Sequence, residues 1–200
     1  QLLLLIENAH DASDRMYRSI VRAAVGEKAI LPILRPFDPV GTTRFVDFDT
    51  TKPVWPTDPN KCHVSHVVGD TETWEQKTAQ ALEEMDEVIA YVKNQGLGFT
   101  IPYAIEGDEH DYVPDFLVKL KHPRTGGELN LVLEVSGERD KEKHAKVATA
   151  RDLWVPAVNA HGGFGRFAFV EVTDPWETQR VVRAALRAAL FGAAKPDLDP

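Results

Sequence analysis

Two acids, Asp115 and Glu134, sit one on each of two strand-like runs in the stretch Asp111–Gly137, DYVPDFLVKLKHPRTGGELNLVLEVSG. Centring the turn between Arg124 and Thr125 places Asp115 opposite Glu134, Leu117 opposite Val132, and Lys119 opposite Asn130. The other face then pairs Phe116 with Leu133, Val118 with Leu131, and Leu120 with Leu129. That face is wholly apolar, as period-two alternation demands of a strand packed on a core. One register satisfies the whole segment, because a one-residue slip would bury both acids among leucines. Directly opposed residues have Cβ atoms roughly 4.5–5.5 Å apart, so two carboxylates there repel each other unless a cation lies between them. Two carboxylates with open water positions form a typical Mg²⁺ site.

The same residues carry a family likeness. Pro114-Asp115 followed by Glu134-Val135-Ser136 resembles the PD-(D/E)xK nuclease signature. Tyr112-Val113-Pro114-Asp115-Phe116 and Asp152-Leu153-Trp154-Val155-Pro156-Ala157-Val158-Asn159 resemble the C-terminal endonuclease region of type III restriction enzyme Res subunits. Tyr91-Val92-Lys93-Asn94 with Leu97-Gly98-Phe99 does so too, and the likeness spans residues 70–190. It implies an α/β, restriction-endonuclease-like core, α-β-β-β-α-β-α, with a central mixed sheet flanked by helices. It further implies Mg²⁺, or Mn²⁺ in its place, held by Asp115, Glu134 and the Val135 carbonyl, for hydrolysis of phosphodiester bonds in double-stranded DNA. Implied partners are an upstream helicase domain of the same chain, where ATP would be used, and a DNA methyltransferase subunit. Glu75 would add a carboxylate from the first core helix, as in some relatives. A glutamate near a helix N-terminus, however, is stabilised by about 0.3–1 kcal/mol with no catalytic role.

One position departs from the pattern. The residue two after Glu134, lysine in active relatives, is Ser136, and a hydroxyl cannot neutralise charge on phosphate as an ammonium does. Lys143 and Lys146 fall on the inward stripe of the following helix and are candidate surrogates, or else exposed helix lysines. Lys119, four residues along the strand from Asp115, lies roughly 13 Å away. Two readings stay open: an endonuclease module with a relocated lysine, or a non-cleaving module that contacts DNA or scaffolds a helicase.

The elements that must position these residues follow from local pattern. Residues 2–24 read as an amphipathic helix. Residues 29–70, rich in proline, read as short β-like runs in which Arg44–Asp49 and His63–Val68 form an antiparallel ribbon. Together, 1–69 make a connector to an upstream domain, and 70–192 make the nuclease-like domain. Thr73 and Gln76 form a capping box for a helix whose apolar face runs through Trp74, Thr78, Ala81, Leu82, Met85 and Ile89. Phe99–Ile105 reads as a core strand, 139–153 as a charged helix ending before Pro156, and Arg166–Val172 as a buried central strand. Asp174-Pro175-Trp176-Glu177 starts the last helix, which stops at Gly192. Residues 193–200 read as a disordered tail.

Composition sets bounds. A net charge of −8 over 200 residues argues against autonomous high-affinity nucleic-acid binding. No apolar run approaches the ~18 residues of a membrane span, and the single cysteine, Cys62, fits a reducing cytoplasm. Beginning inside an apolar run without methionine, the chain reads as part of a longer protein. Cys62, His63 and His66 lack the second ligand pair of a zinc site. Gly162-Gly163-Phe164-Gly165 precedes a strand and reads as a tight turn, and Arg180, Arg183 and Arg187 read as a solvated helix face.

Overall fold

A computed structural model describes residues 16, 41–69, 74–105, 108–136 and 146–191. The expected helix over 2–24 (Met16 apart), Lys143, Gly192 and the tail lie outside the described residues.

The centre is a four-stranded mixed sheet of β3 (Val88–Lys93), β6 (Phe116–Lys121), β7 (Glu128–Val135) and β8 (Phe167–Val172), in that spatial order. β3 and β6 run antiparallel, β6 and β7 antiparallel, and β7 and β8 parallel. The β6–β7 register is the one read from the sequence, with Phe116 paired to Leu133, Leu117 to Val132, and Lys119 to Asn130. The hairpin closes through Gly126, at φ 69°. Beside it, a Cβ on Gly127 would come within 3.0 Å of the Leu190 side chain, so a larger residue would require that side chain to shift.

Alternation decides which helices cover which face. Phe116, Val118, Leu120, Leu129, Leu131 and Leu133 are at most 2% exposed. They pack with Leu82 of α1 (Trp74–Glu83), and with Val182 and Leu186 of α3 (Thr178–Phe191). The opposite face presents Leu117, Val132, Phe167 and Phe169. It is covered by the helix over 146–161 and by a hairpin of β4 (Ile101–Ile105) with β5 (Asp108–Tyr112). Among the described residues, no helix is long and apolar enough to cross a membrane.

Five expectations need correction. The helix beginning at Trp74 ends at Glu83, and Val88–Lys93 is a strand. Pairing skips Ile89, so Val88 and Tyr91 both face the core as partners of Leu120 and Val118, while Ile89 is 38% exposed. That bulge imitates the helical spacing of Leu82, Met85 and Ile89. Phe99–Ile105 is accordingly not a strand of the central sheet. Its strand, Ile101–Ile105, pairs with β5 in a separate ribbon, and Pro102 lacks the N–H an interior strand must donate.

The helix before β8 does not stop at Pro156. Ala150–Trp154 form a π-turn in which the Val155 N–H reaches back to the Ala150 carbonyl. Pro156 then follows in α2 (Val155–His161), inside the continuous helix, where the π-turn immediately before it accommodates a residue with no N–H to donate. Finally, β8 is an edge strand of the described sheet; it is apolar on both sides because helices cover both. In the connector, β1 (Val54–Pro56) rather than Arg44–Asp49 pairs with β2 (His66–Val68). Thr43–Phe45 is a 3₁₀ turn capped by the Thr42 side chain.

Other local contacts complete the frame. Gly162 closes α2 in the left-handed region at φ 75°, and Asp174 caps a 3₁₀ turn over Pro175–Glu177 through the Trp176 N–H. Arg180 pairs with Glu177, and Arg183 pairs with Glu87 at 2.8 Å.

The central strands should dominate stability. Leu131, 1% exposed on β7, should lose about 2–5 kcal/mol on substitution to alanine in urea unfolding. Lys119→Ala on the same hairpin should stay within about 0.5 kcal/mol, since its partner Glu128 at 3.1 Å is half exposed. Comparable losses for the two would contradict the assignment of faces.

Candidate metal-binding end of the sheet

Strand direction gathers the chemistry-bearing residues at one end of the sheet. β3 ends there at Lys93, β6 begins after Asp115, and β7 and β8 end at Val135 and Val172. α1 leads into β3 through a short link and packs along the sheet, so its first turn, with Glu75, returns to that same end. Lys77 of α1, with its Nζ 4.6 Å from the centroid of the Trp176 ring just beyond β8, fixes this placement.

Asp115 stands where the β6–β7 ladder stops being main chain. Its Oδ2 accepts the Val135 N–H at 2.7 Å, and its own carbonyl accepts the Asn94 N–H at 2.8 Å. The next residue pair outward on β7 brings in Glu134, whose Oε2 accepts the Tyr112 hydroxyl at 2.6 Å. Each acid is half-buried, and each is met by a protein donor in a charge-assisted hydrogen bond. The repulsion inferred from their opposition is therefore offset in part by the protein itself. Val135 contributes its N–H to this arrangement.

Tyr112 is 4% exposed. Burial, then the charge and hydrogen bond of Glu134 and the nearby charges of Asp115 and Glu171, push its phenol far above the ordinary tyrosine range. It stays protonated and donating. Glu171 is the register partner of Glu134 on β8, so three acids lie in neighbouring positions across three strands. Among the described residues, however, no group of three or more His, Cys, Asp or Glu side chains gathers as a metal-binding cluster.

The remaining candidates divide. Glu75 is 5% exposed, which a glutamate serving only the helix N-terminus does not need. Ser136 is 3% exposed, and its N–H donates to the Val172 carbonyl at 2.9 Å, tying β7 to β8 beyond the acids. Lys146 is half-buried on the opposite helix, with its Nζ 5.7 Å from the centroid of the Tyr103 ring. Cys62 is buried while His63 and His66 are exposed. The His63 ring shares a hydrogen bond with Thr43, and burial raises the Cys62 thiol pKa.

Sequence reasoning gave no site role to four residues at this end: Lys93, Asn94 and Tyr112, although they stand in the quoted motifs, and Glu171. Lys93, 6% exposed, donates from Nζ to the Val68 carbonyl at 2.6 Å. Asn94 is 8% exposed. The signal for the first two was Val88–Lys93 itself, a β-branched and aromatic run that reads as a strand once the helix stops at Glu83. Tyr112 and Glu171 needed tertiary contacts to emerge. Thr78, one turn after Glu75, has its hydroxyl buried with no partner among the described residues.

No protein-family model, curated protein or solved structure matches this chain.

The Tyr112–Glu134 bond makes an alkaline prediction. Because the folded phenol pKa lies above its unfolded value of about 10, the bond contributes fully below that pH and is lost as pH rises beyond it. Spectrophotometric titration should show Tyr112 ionising only as the chain unfolds. Tyr112→Phe should cost about 1.5–3 kcal/mol at neutral pH and remove that late tyrosinate signal. Normal ionisation of Tyr112 in folded protein would refute the geometry.

Proposed function

We propose that this chain is the nuclease module of a type III restriction-like helicase–nuclease, cleaving phosphodiester bonds in double-stranded DNA with Mg²⁺. The observation that carries the reading is the pair Asp115 and Glu134, neighbours across the β6–β7 ladder at the sheet end that α1's first turn reaches. The order of elements supports it. A helix leads into three antiparallel strands, a crossover helix and a fourth strand parallel to the third, as expected of a restriction-endonuclease-like core.

The donor set fits a hard divalent cation. Both groups are carboxylates, each held on one oxygen by a protein donor, and Mg²⁺ is commonly held by one or two carboxylates with water and phosphate completing the shell. Asp115 and Glu134 would hold the metal; Glu75, expected as a further carboxylate, stands on α1, which covers the other face of the sheet, and does not gather with them among the described residues. A bound metal would supply an activated water and charge stabilisation at the phosphate. The protein's own part is to fix the acids: Val135 N–H orients Asp115, and protonated Tyr112 orients Glu134.

A second reading is favoured by Ser136. With no lysine at that position, the module would contact DNA or scaffold the motor without cleaving. The two carboxylates would then be maintained by their protein donors alone. The two readings part on the source of the missing cation. Lys143 and Lys146 are the surrogates that the sequence offers; Lys93 ends β3 at the same end of the sheet, but in the row of its partner Phe116, on the face that α1 covers.

Substitution separates these cases. In the full-length protein with Mg²⁺, Asp115→Ala or Glu134→Ala should abolish cleavage of duplex DNA. Ser136→Lys should raise cleavage, and should restore it in whichever of Lys93→Met, Lys143→Ala or Lys146→Ala proves inactive. Cleavage that survives the double substitution of Asp115 and Glu134 would end the metal-site reading. Absence of cleavage in every background would favour the scaffold.

The 200-residue chain alone, with its charge of −8, should bind duplex DNA weakly and lose that binding steeply as salt rises. Nanomolar binding at physiological salt would place the DNA contacts elsewhere than proposed.

A further inference from the structure

Asn94 directs every polar group of its side chain, together with its main-chain N–H, at the backbone beside the candidate site. Its Nδ2 donates to the Phe99 carbonyl at 2.7 Å and to the Pro114 carbonyl at 3.0 Å. Its Oδ1 accepts the Phe99 N–H at 3.2 Å, and its own N–H donates to the Asp115 carbonyl at 2.8 Å. Paired residues of β3 and β6 end at Lys93 and Phe116. The rung beyond them is Asn94 N–H to Asp115, and the one after that is made by a side chain instead of a strand.

Asp115 is thereby held from two sides. Asn94 grips both its carbonyl and the peptide before it, and the Val135 N–H holds its carboxylate. Pro114 has no N–H with which to anchor itself, so the carbonyl that Asn94 takes is that residue's one backbone hydrogen-bonding group. The clamp is itself supported. Gly96 and Gly98, at φ 68° and 76°, let the loop double back so that Phe99 meets Asn94. Phe99 then packs edge-on against Trp154, with centroids 5.6 Å apart.

We infer that Asn94 is a positioning residue for Asp115, fixing the Pro114–Asp115 peptide so that the carboxylate keeps its bond to Val135 and stays beside Glu134. This rests on the metal-site reading above, and it adds a residue that touches neither metal nor substrate. The molecule contains its own control. Asn159 makes the same double bond to Phe167, through Nδ2 to the carbonyl at 2.9 Å and Oδ1 from the N–H at 2.7 Å. That clamp sits at the start of β8, the opposite end of the sheet.

The test is calorimetric titration with Mn²⁺, at a temperature where circular dichroism shows each variant folded. Wild type should bind and Asp115→Ala should not. Asn94→Ala should bind 10–100-fold more weakly, the range typical of groups that orient metal ligands. Asn159→Ala should lower the unfolding temperature and leave Mn²⁺ affinity unchanged. Asn94→Ser, which keeps a small polar group, should behave like Asn94→Ala. Wild-type affinity in a folded Asn94 variant would overturn the inference while leaving the metal site standing. Failure of both Asn94 variants to fold would assign the residue to the fold instead and likewise overturn it. If wild type binds no Mn²⁺, or binds it equally well without Asp115, the metal reading itself falls and this inference falls with it.

Discussion

Sliding β6 by one residue against β7 would exchange the apolar row of Phe116, Val118 and Leu120 for Leu117, Lys119 and Lys121 on the face that meets α1 and α3. Nothing else in the sheet could absorb that exchange. β3 takes its register from β6, pairing Tyr91 with Val118 and Lys93 with Phe116, and β8 takes its own from β7. The helices on both faces then pack against side chains whose direction this one hairpin has set. The position of Asp115 and Glu134 at the end of the ladder is a by-product of the same register, which couples the candidate chemistry to the most buried part of the protein.

Charge at that sheet end is handled by hydrogen bonds rather than by exposure. Asp115 is met by the Val135 N–H and Glu134 by the Tyr112 hydroxyl. Lys93 reaches a main-chain carbonyl. Each contact is short and partly or wholly shielded from water, conditions in which a bond to an ionised group is worth more than a neutral one. Burying Glu75 and Lys93 to 5–6% exposure is costly without such partners, and a chain selected for stability alone gains little by it. That concentration of shielded charge at the C-terminal ends of β3, β7 and β8 is what a functional site requires of a scaffold.

Two irregularities place the surrounding elements. The bulge at Ile89 lets Val88 and Tyr91 both reach the core, and so lets a strand follow α1 after a turn of only a few residues. The π-turn at Ala150–Trp154 carries the crossover helix through Pro156 and brings Trp154 against Phe99 and Phe167. Both are single-residue departures from regular spacing, and both resist periodicity arguments for that reason. A pattern search assigns Ile89 to the helix and ends the next helix at Pro156, because it has no way to represent one extra residue.

Much of the centre was legible in residue order. The polar residues Asp115, Lys119, Lys121, Glu128, Asn130 and Glu134 fall in one row and only apolar residues in the other, which admits one register, so the hairpin, its inner face and the neighbourhood of Asp115 and Glu134 followed without any tertiary information. The cap at Asp174 was equally local, since it depends on one side chain, whereas Gly162, read as part of a tight turn, is a helix cap because the helix runs on past Pro156. Other features depended on the whole fold. Competition between Val88–Lys93 and Ile101–Ile105 for the place beside β6 is settled by packing across the sheet and by the missing donor of Pro102. The Asn94 bonds to Pro114 and Asp115 and the Tyr112 hydroxyl bond to Glu134 join residues 20 or more positions apart, and the burial of Glu75 depends on α1 packing against the sheet. Spacing along a chain carries the geometry of one element and its nearest neighbour; which distant donor meets a given carboxylate is decided only when the layers close.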